Sequence, residues 1–102
     1  MTEVLKLKKP IMINGKEIDE LQYNFEDLSA RDKLNASKKM RMDGIPPTIE
    51  ELDSNLHLYI FAEAVTKVDA TIVTTDVLRM SAKDSGKAAS LAMGFFYLNS
   101  EE

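Results

Sequence analysis

The 102-residue sequence contains no cysteine and no tryptophan, one histidine, 4 glycines and 3 prolines. The absence of cysteine excludes disulfide frameworks, thiolate metal sites and thiol catalysis. The single imidazole, that of His57, is too little for a histidine-based metal site, and we expect no metal and no cofactor. With 44% hydrophobic residues, the composition is typical of a globular chain. The length predicts one small domain with one core.

Long hydrophobic runs are also missing. The longest apolar stretch extends from Leu56 to Val65 and is interrupted by His57 and Glu63. A membrane-spanning helix would need about 20 apolar residues. The N-terminal segment lacks the apolar centre of a signal peptide. These absences predict a soluble, intracellular protein with no membrane partner.

Basic charge is in slight deficit, with 13 Lys and Arg against 17 Asp and Glu. Residues 1–45 carry nine basic and eight acidic side chains, and residues 46–102 carry four and nine, so the two parts could attract each other within or between chains. One basic group stands out: Lys33, Lys38, Lys39 and Arg41. Because no aromatic residues lie among these cations, they favour a solvated helix end over a nucleic-acid site. We expect no nucleic-acid partner, and a small regulatory nucleic-acid binder is the less favoured alternative.

The pair Asn14-Gly15 predicts a hairpin, because both central residues of a type I′ turn need a positive φ and this pair adopts it at low cost. Alternating polar and apolar residues flank the turn and place the hairpin within residues 1–27. The apolar residues expected on its inner face are Leu5, Leu7, Leu21, Tyr23 and Phe25. Pro10 has no N–H to donate, so the first strand is expected to be an edge or to bend there.

A first helix is predicted from Ser29 to about Met42. Ser29 is a favourable N-cap, and Asp32 completes a pattern similar to a capping box. Asp43-Gly44 predicts the end of the helix. Its apolar residues form a thin stripe, consisting of Leu34, Ala36, Met40 and Met42.

A second helix is predicted from Ile49 to about Val68, after the break at Pro46-Pro47. Thr48 is its expected N-cap, and Glu51 completes a capping box. From Leu56 to Val65 the helix is apolar almost all round, which is typical of a helix at the centre of a domain or of an oligomer. Its apolar face is expected to include Ile49, Leu52, Leu56, Tyr59 and Ile60.

The rest of the chain predicts a connection and a third main helix. Residues 69–74 have some β character, and Thr75 is expected to cap a short turn from Asp76 to Met80. The last helix is predicted from Ser81 to about Leu98, with Asp84 near its start. Gly86 and Gly94 lie inside it and each cost about 1 kcal/mol relative to alanine, so a kink or close packing is expected to offset them.

Together these elements predict an α+β fold in a single domain. An N-terminal β-hairpin (residues 1–27) is followed by a helical part with three main helices (residues 28–98) and a frayed tail (residues 99–102). A lone hairpin is marginally stable in water, so its apolar face must pack on the helices.

Catalytic patterns are missing. The sequence has no nucleophile elbow, no calcium-binding loop and no phosphate-binding glycine loop. The acidic pairs Asp19-Glu20 and Glu26-Asp27 are better explained by solvated strand ends and helix starts than by general acid–base catalysis. His57 lies between Leu56 and Leu58 and is interpreted as a histidine at the edge of the core. We predict no catalytic residue and expect that the protein is not an enzyme.

The run Phe95-Phe96-Tyr97-Leu98 points to a partner. Consecutive helical residues are about 100° apart, so four of them cover about 300° of the helix surface. At least one large ring should therefore be exposed unless a partner or a second subunit covers it. The candidate partner-binding residues are Leu91, Met93, Phe95, Phe96 and Leu98. In the alternative, the chain end tucks Phe95 and Phe96 inward and leaves Tyr97 at the boundary.

Self-association is a further hypothesis. It would use either this last helix or the edge strand near Leu5–Ile11, and would make the protein a homo-oligomer.

Three segments carry a resemblance to one family. Residues Leu7–Gly15 resemble the pattern L-x-x-P-I-x-h-(D/N)-G that opens the phage tail assembly chaperones of contractile-tailed phages, including the Mu-like ones, and of prophages. Ser29–Asp32 is similar to the Thr/Ser-Ala-x-Asp start of that family's first helix. Leu78–Asp84, followed by a helix that closes in Phe95-Phe96, is similar to the family's ending. Tyr23–Asp27 differs from the Arg-rich or Pro-containing segment that the family usually has there.

The resemblance implies a non-enzymatic viral protein in the cytoplasm of the bacterial host. Proteins of this family bind the long, helix-rich tape measure protein, keep it soluble and help to recruit tail tube subunits around it. A partner of this kind suits an exposed apolar surface and a helix-in-groove contact. The alternative function is that of a structural tail or baseplate component that is retained in the virion.

Overall fold

The computed structural model describes residues 2–98, and the tail predicted over residues 99–102 lies outside them. The chain begins with the predicted hairpin, in which β1 (Glu3–Ile13) pairs antiparallel with β2 (Lys16–Tyr23). Asn14 and Gly15 connect the strands with φ angles of 53° and 80°, the left-handed backbone that a type I′ turn requires. The predicted turn is therefore confirmed.

The pairing of β1 is interrupted around Pro10, as its missing N–H predicts. Lys6 pairs with Glu20, and the next pair is Ile11 with Ile18. Residues 7–10 of β1 therefore oppose a single residue of β2, which makes an enlarged β-bulge.

Asp84, in the first turn of the last helix, binds this bulge. Its two carboxylate oxygens accept the backbone N–H groups of Lys8 (3.0 Å) and Lys9 (3.1 Å). Asp84 is only 2% exposed. A buried carboxylate near the end of the sequence thus attaches the hairpin to the helical part.

The first helix, α1 (Ala30–Met42), begins as predicted. The Ser29 hydroxyl accepts the N–H of Asp32 (3.2 Å), and the Asp32 carboxylate accepts the N–H of Ser29 (2.8 Å), which completes a capping box. The predicted end at Asp43-Gly44 is also confirmed, because Gly44 has a φ of 85° and the N–H of Ile45 donates to the carbonyl of Met40.

The apolar stripe of α1 is narrower than predicted. Ala36 and Met40 are fully buried, whereas Leu34 and Met42 are 63% and 75% exposed. The prediction was wrong for these last two, because each lies two residues from a buried position and therefore about 200° around the helix axis. The outer side of α1 thus carries two large apolar side chains.

The second helix, α2 (Ser54–Val68), begins later than predicted, and a 3-10 turn (Glu50–Leu52) precedes it. Its N-cap is Asp53, whose carboxylate accepts the N–H groups of Leu56 (3.1 Å) and Thr48 (3.1 Å). The prediction of Thr48 as N-cap was wrong, because the carboxylate of Asp53 holds both amides.

The later start of α2 leaves two apolar residues outside the helix. Ile49 and Leu52 were expected on its buried face, but they are 65% and 70% exposed. The rest of the prediction is confirmed, since α2 is buried almost continuously from Leu56 to Val65 and packs against α1, β2 and the later helices.

The connection after α2 is a turn and not the expected strand-like segment. The N–H and the hydroxyl of Thr71 both donate to the Asp69 carboxylate, which closes this turn. A short helix, α3 (Thr74–Val77), follows. The prediction of Thr75 as its cap was wrong, because the helix begins two residues earlier than predicted and the N–H of Val73 donates to the Asp76 carboxylate (3.1 Å).

The last helix, α4 (Ala82–Met93), begins at the predicted cap, where the Ser81 hydroxyl accepts the N–H of Asp84 (3.1 Å). It does not continue unchanged to Leu98, since residues Gly94–Leu98 form a π-helical turn. Close packing, expected as one way to offset Gly86 and Gly94, was wrong for both, because a Cβ added to either would meet no atom within 4 Å.

The core lies between the inner face of the hairpin and the helices around α2. All the hairpin residues predicted for it are buried, namely Leu5, Leu7, Leu21, Tyr23 and Phe25. The rings of Tyr23 and Phe61 lie 5.0 Å apart between their centroids, which joins the hairpin to α2. The α+β class predicted from the sequence is confirmed.

We expect Asp84→Asn to lower the thermal unfolding midpoint by several degrees at pH 7, because an amide offers one acceptor oxygen where the carboxylate offers two. The hydrogen bond from the Lys8 amide, followed by that from the Lys9 amide, lowers the pKa of Asp84 despite its burial. A carboxyl group with a lowered pKa stabilises the fold above its unfolded pKa of about 3.9, and this contribution disappears as the pH falls through the folded pKa. Circular dichroism should therefore show that the unfolding midpoints of the native chain and of Asp84→Asn converge as the solution is made acidic.

The control for this measurement is Glu17→Gln, which neutralises an exposed carboxylate on β2. Its midpoint should stay close to that of the native chain at every pH. Equal effects of the two substitutions would contradict the role given to Asp84.

We expect Gly86→Ala to raise the free energy of unfolding by about 0.5–1 kcal/mol, because alanine loses less backbone entropy in a helix interior. Gly15→Ala is the matched contrast, since its φ of 80° disfavours a Cβ, and a loss of roughly 1 kcal/mol is expected there. Urea denaturation measures both. A loss of stability in Gly86→Ala would show that this backbone is not in an unstrained helix.

Candidate partner-binding surface

The candidate surface lies at the end of the described chain, where α4 passes into the π-helical turn Gly94–Leu98. In a π turn each N–H reaches the carbonyl five residues back, so the turn is wider than an α-helical one. Such turns occur frequently at functional sites. Here the wider turn sets the directions of the four large side chains that follow Gly94.

The structure separates the predicted partner-binding residues into two groups. Phe95 and Leu98 are exposed, with 37% and 65% of their surface accessible. Leu91 and Phe96 are partly buried and pack against the core, and Met93 is half-buried. The expected exposed ring is thus that of Phe95, and the inward position proposed as the alternative applies to Phe96.

Phe25, just after β2, fixes the two phenylalanine rings. Its centroid lies 5.3 Å from that of Phe95 and 5.5 Å from that of Phe96. The rings of Phe95 and Phe96 contact each other edge to face, with centroids 4.8 Å apart. Because Phe25 is itself buried, Phe95 has one side against the core and the other toward solvent.

Tyr97 is fixed by a polar contact. Its hydroxyl donates to the Glu50 carboxylate (2.6 Å). Burial, and then this hydrogen bond, raise the pKa of Tyr97, so the phenol stays protonated. Glu50 also forms an ion pair with Lys33, whose ammonium lies 5.4 Å from the centre of the Tyr97 ring. The chain end is therefore held to both α1 and the 3-10 turn.

The hydrogen bond from Lys33, and then that from Tyr97, lower the pKa of Glu50. Glu50 therefore remains charged at neutral pH and keeps both partners.

His57 lies beneath Tyr97 and is more deeply buried than the predicted core-edge position, with 1% of its surface exposed. Its Nε2 lies 2.8 Å from the carbonyl oxygen of Glu50, and its ring centroid is 5.0 Å from that of Tyr97. A carbonyl oxygen can only accept, so Nε2 carries the proton in this contact. The geometry supports a structural role for this imidazole.

The basic group of α1 is divided by the fold. Lys33 pairs with Glu50, and Lys39 donates to Glu63 (2.7 Å). Lys38 and Arg41 are exposed and form no ion pair with another residue of the described chain. The four cations therefore do not act as one continuous basic surface.

Two other classes of feature are absent from residues 2–98. No group of three or more His, Cys, Asp and Glu side chains lies close enough to hold a metal ion. No helix in this part of the chain is long and apolar enough to cross a membrane.

Sequence reasoning missed a second exposed apolar surface, on the outer side of α1. It contains the exposed Leu34 and Met42, which the sequence analysis placed on one thin apolar stripe with Ala36 and Met40. The signal was present in the helical spacing, because neither residue shares a face with Ala36 and Met40.

We expect Phe96→Ala to lower the free energy of unfolding by roughly 2–3 kcal/mol, since its ring packs against the core. Phe95→Ala should cost about 1 kcal/mol, because Phe95 is partly exposed and loses only its ring contacts with Phe25 and Phe96. Chemical denaturation of both variants measures the difference. If Phe95→Ala lowered the free energy of unfolding more than Phe96→Ala, then Phe95 and not Phe96 would be the ring that packs into the core.

No protein-family model matches the sequence, and comparisons with curated proteins and with solved structures give no significant match. A proposal about function must therefore use the surfaces of this chain and the short motifs described above. Among those surfaces, the exposed pair Phe95 and Leu98 is the one that the sequence singles out.

Proposed function

We propose that the protein is a non-enzymatic assembly chaperone of phage tails, which binds the tape measure protein, keeps it soluble and promotes assembly of the tail tube around it. The observation that carries this proposal is the π-helical chain end. It presents Phe95 and Leu98 to solvent while its other large residues are anchored to the domain.

The anchoring supports a binding role for the exposed pair. Phe96 packs against the core, and Tyr97 is bound to Glu50. Phe95 and Leu98 are thus presented from a turn that is already ordered, so that little conformational entropy is lost when a partner covers them. Exposed apolar groups on a fixed framework are typical of protein–protein contact sites.

The arrangement of the chain also supports the proposal. The motif over Leu7–Gly15 forms β1 and the hairpin turn, and Ser29–Asp32 forms the start of α1. The two segments therefore form a hairpin followed by a helix, which agrees with the order of elements that the resemblance implies. A holder of an aggregation-prone helical chain needs apolar contact surface and no reactive groups, which agrees with the buried position of His57.

Self-association remains a proposal beside this one. The edge strand near Leu5–Ile11 is partly occupied, because Asp84 already binds the amides of Lys8 and Lys9. If two chains paired along this segment, the amides of Lys8 and Lys9 would have to keep their hydrogen bonds to Asp84 and could not bind the second chain. The exposed chain end is therefore the better candidate for a homo-oligomer contact.

The proposal predicts that co-expression with the tape measure protein of the same gene cluster increases the soluble fraction of that protein and allows the two to be purified together. The double variant Phe95→Ser/Leu98→Ser should retain at least about tenfold less tape measure protein. Its thermal unfolding midpoint should fall by no more than about 4–8 °C, since the loss of the Phe95 ring contacts costs about 1 kcal/mol and Leu98 is exposed.

Met12→Ser is the matched control, because Met12 is 55% exposed on the hairpin. It should bind like the native chain. If the tape measure protein stays insoluble and does not co-purify with the native chain, the chaperone proposal fails. Detection of the chain in purified particles would then favour a structural tail or baseplate component.

A further inference from the structure

A groove on the outer side of α1 is not used by the proposed function. Ala30, Leu34, Ser37 and Arg41 follow one another along the helix at intervals of three or four residues and line this groove together with Glu50. Its volume is about 400 Å³. From Ala30 to Arg41 it extends over three helical turns, or about 16 Å. An adjoining depression continues it and is lined by Leu34, Ser37, Lys38, Arg41 and Met42. We name the two depressions together the α1 groove.

The α1 groove has exposed apolar groups. Leu34 lies at its centre and is 63% exposed. Met42 is 75% exposed and borders the adjoining depression, which Leu34 also lines. Leu56, at the start of α2, also lines the groove, but it is buried and belongs to the core. These contacts suit the apolar stripe of a helix, and the flexible Met42 thioether can adapt to its shape.

The unpaired charge of the α1 groove is positive, because the Lys33 and Glu50 that line it form an ion pair with each other. Lys38 and Arg41 stand beside Leu34 and Met42 and have no ion-pair partner within residues 2–98. The single acidic residue of α1, Asp32, is already bound by Ser29 and Lys67. Two free cations beside an apolar strip favour an occupant that carries carboxylates at the flanks of its own apolar stripe.

A second copy of the chain does not supply such an occupant from its described helices. The exposed charged residues of α4 are Lys83 and Lys87, and α2 exposes Lys67. Glu63 on α2 is paired with Lys39, and Asp84 on α4 is buried. The helices of a second copy within residues 2–98 therefore do not match this surface, and a helix of another protein is the better occupant.

We infer that the α1 groove binds an acidic amphipathic helix of a partner protein, about three turns long, whose apolar side chains contact Leu34 and Met42 and whose carboxylates pair with Lys38 and Arg41. A nucleic acid is a weaker match, because it would place phosphates against two exposed apolar side chains and the groove offers no aromatic ring for stacking. This inference is independent of the proposed role in tail assembly.

The test uses the full chain and a fluorescein-labelled helical peptide of about four turns, with leucines at helical spacing and glutamates on both flanks. Fluorescence anisotropy should show saturable binding with a Kd below about 100 µM. The same peptide with lysine in place of glutamate should bind at least about tenfold more weakly. Lys38→Glu/Arg41→Glu and Leu34→Ser should each weaken binding of the acidic peptide by about tenfold or more.

The control variant is Lys83→Glu/Lys87→Glu, which changes the net charge by the same amount on α4. It should alter the Kd by less than about twofold, as expected for charges outside the contact. Circular dichroism should show native folding for every variant, because all substituted side chains are exposed.

Several results would overturn the inference. They are absence of saturable peptide binding, equal losses in the α1 and α4 variants, and equal binding of the lysine peptide. Tighter binding of a labelled single-stranded oligonucleotide that depends on Lys38 and Arg41 would assign the surface to nucleic acid. Sedimentation that shows a dimer abolished by Leu34→Ser would assign it to a second copy. Since no tape measure protein is present, these outcomes are separate from those of the co-expression experiment.

Discussion

The structure depends on the contact between the Asp84 carboxylate and the amides of Lys8 and Lys9. A two-stranded hairpin is marginally stable alone, and this one is further weakened by the bulge around Pro10, where amides leave the regular ladder. Asp84 satisfies two of them with a group that is buried in the helical part, so the bulge becomes the place where the hairpin is attached. The apolar face of the strands then lies over α2, where Tyr23 and Phe61 meet. The first and last elements of the chain therefore stabilise each other.

The elements that could be predicted from the sequence are those encoded by a few adjacent residues. Asn14-Gly15 specifies its turn by backbone preference, and the Ser29 and Ser81 caps need only the amide three residues later. The start of α2 could not be decided in this way, because Thr48 and Asp53 both offer cap chemistry within a few residues. Asp53 prevails since its carboxylate accepts two amides at once, one of them that of Thr48. That outcome depends on the folded path of residues 48–53 and not on either signal alone.

The candidate site was predictable in kind but not in detail. Four consecutive large residues in a terminal helix require that one be exposed, and Phe95 fulfils this expectation. Which ring turns inward depends on Phe25, far away in the sequence, and on the Glu50 partner of Tyr97. Leu34 and Met42 were expected on the apolar stripe of α1 and are instead exposed. Both are apolar and helical, and only the narrow contact of α1 with α2 through Ala36 and Met40 explains why they remain outside.

The π-helical turn has a consequence for how this chain tolerates changes in length. A π turn accommodates one residue more than the α turn it replaces. Deletion of one residue at this turn would be absorbed by its reversion to an ordinary α turn, whereas insertion of one residue into the regular part of α4 would rotate every later side chain by about 100°. The ring of Phe96 would then leave Phe25, and the Tyr97 hydroxyl would leave Glu50, although the composition of the chain end would be almost unchanged. The direction of the exposed apolar side chains is therefore determined by helical register as much as by residue type, and insertions within α4 should disturb it more than conservative substitutions within the turn.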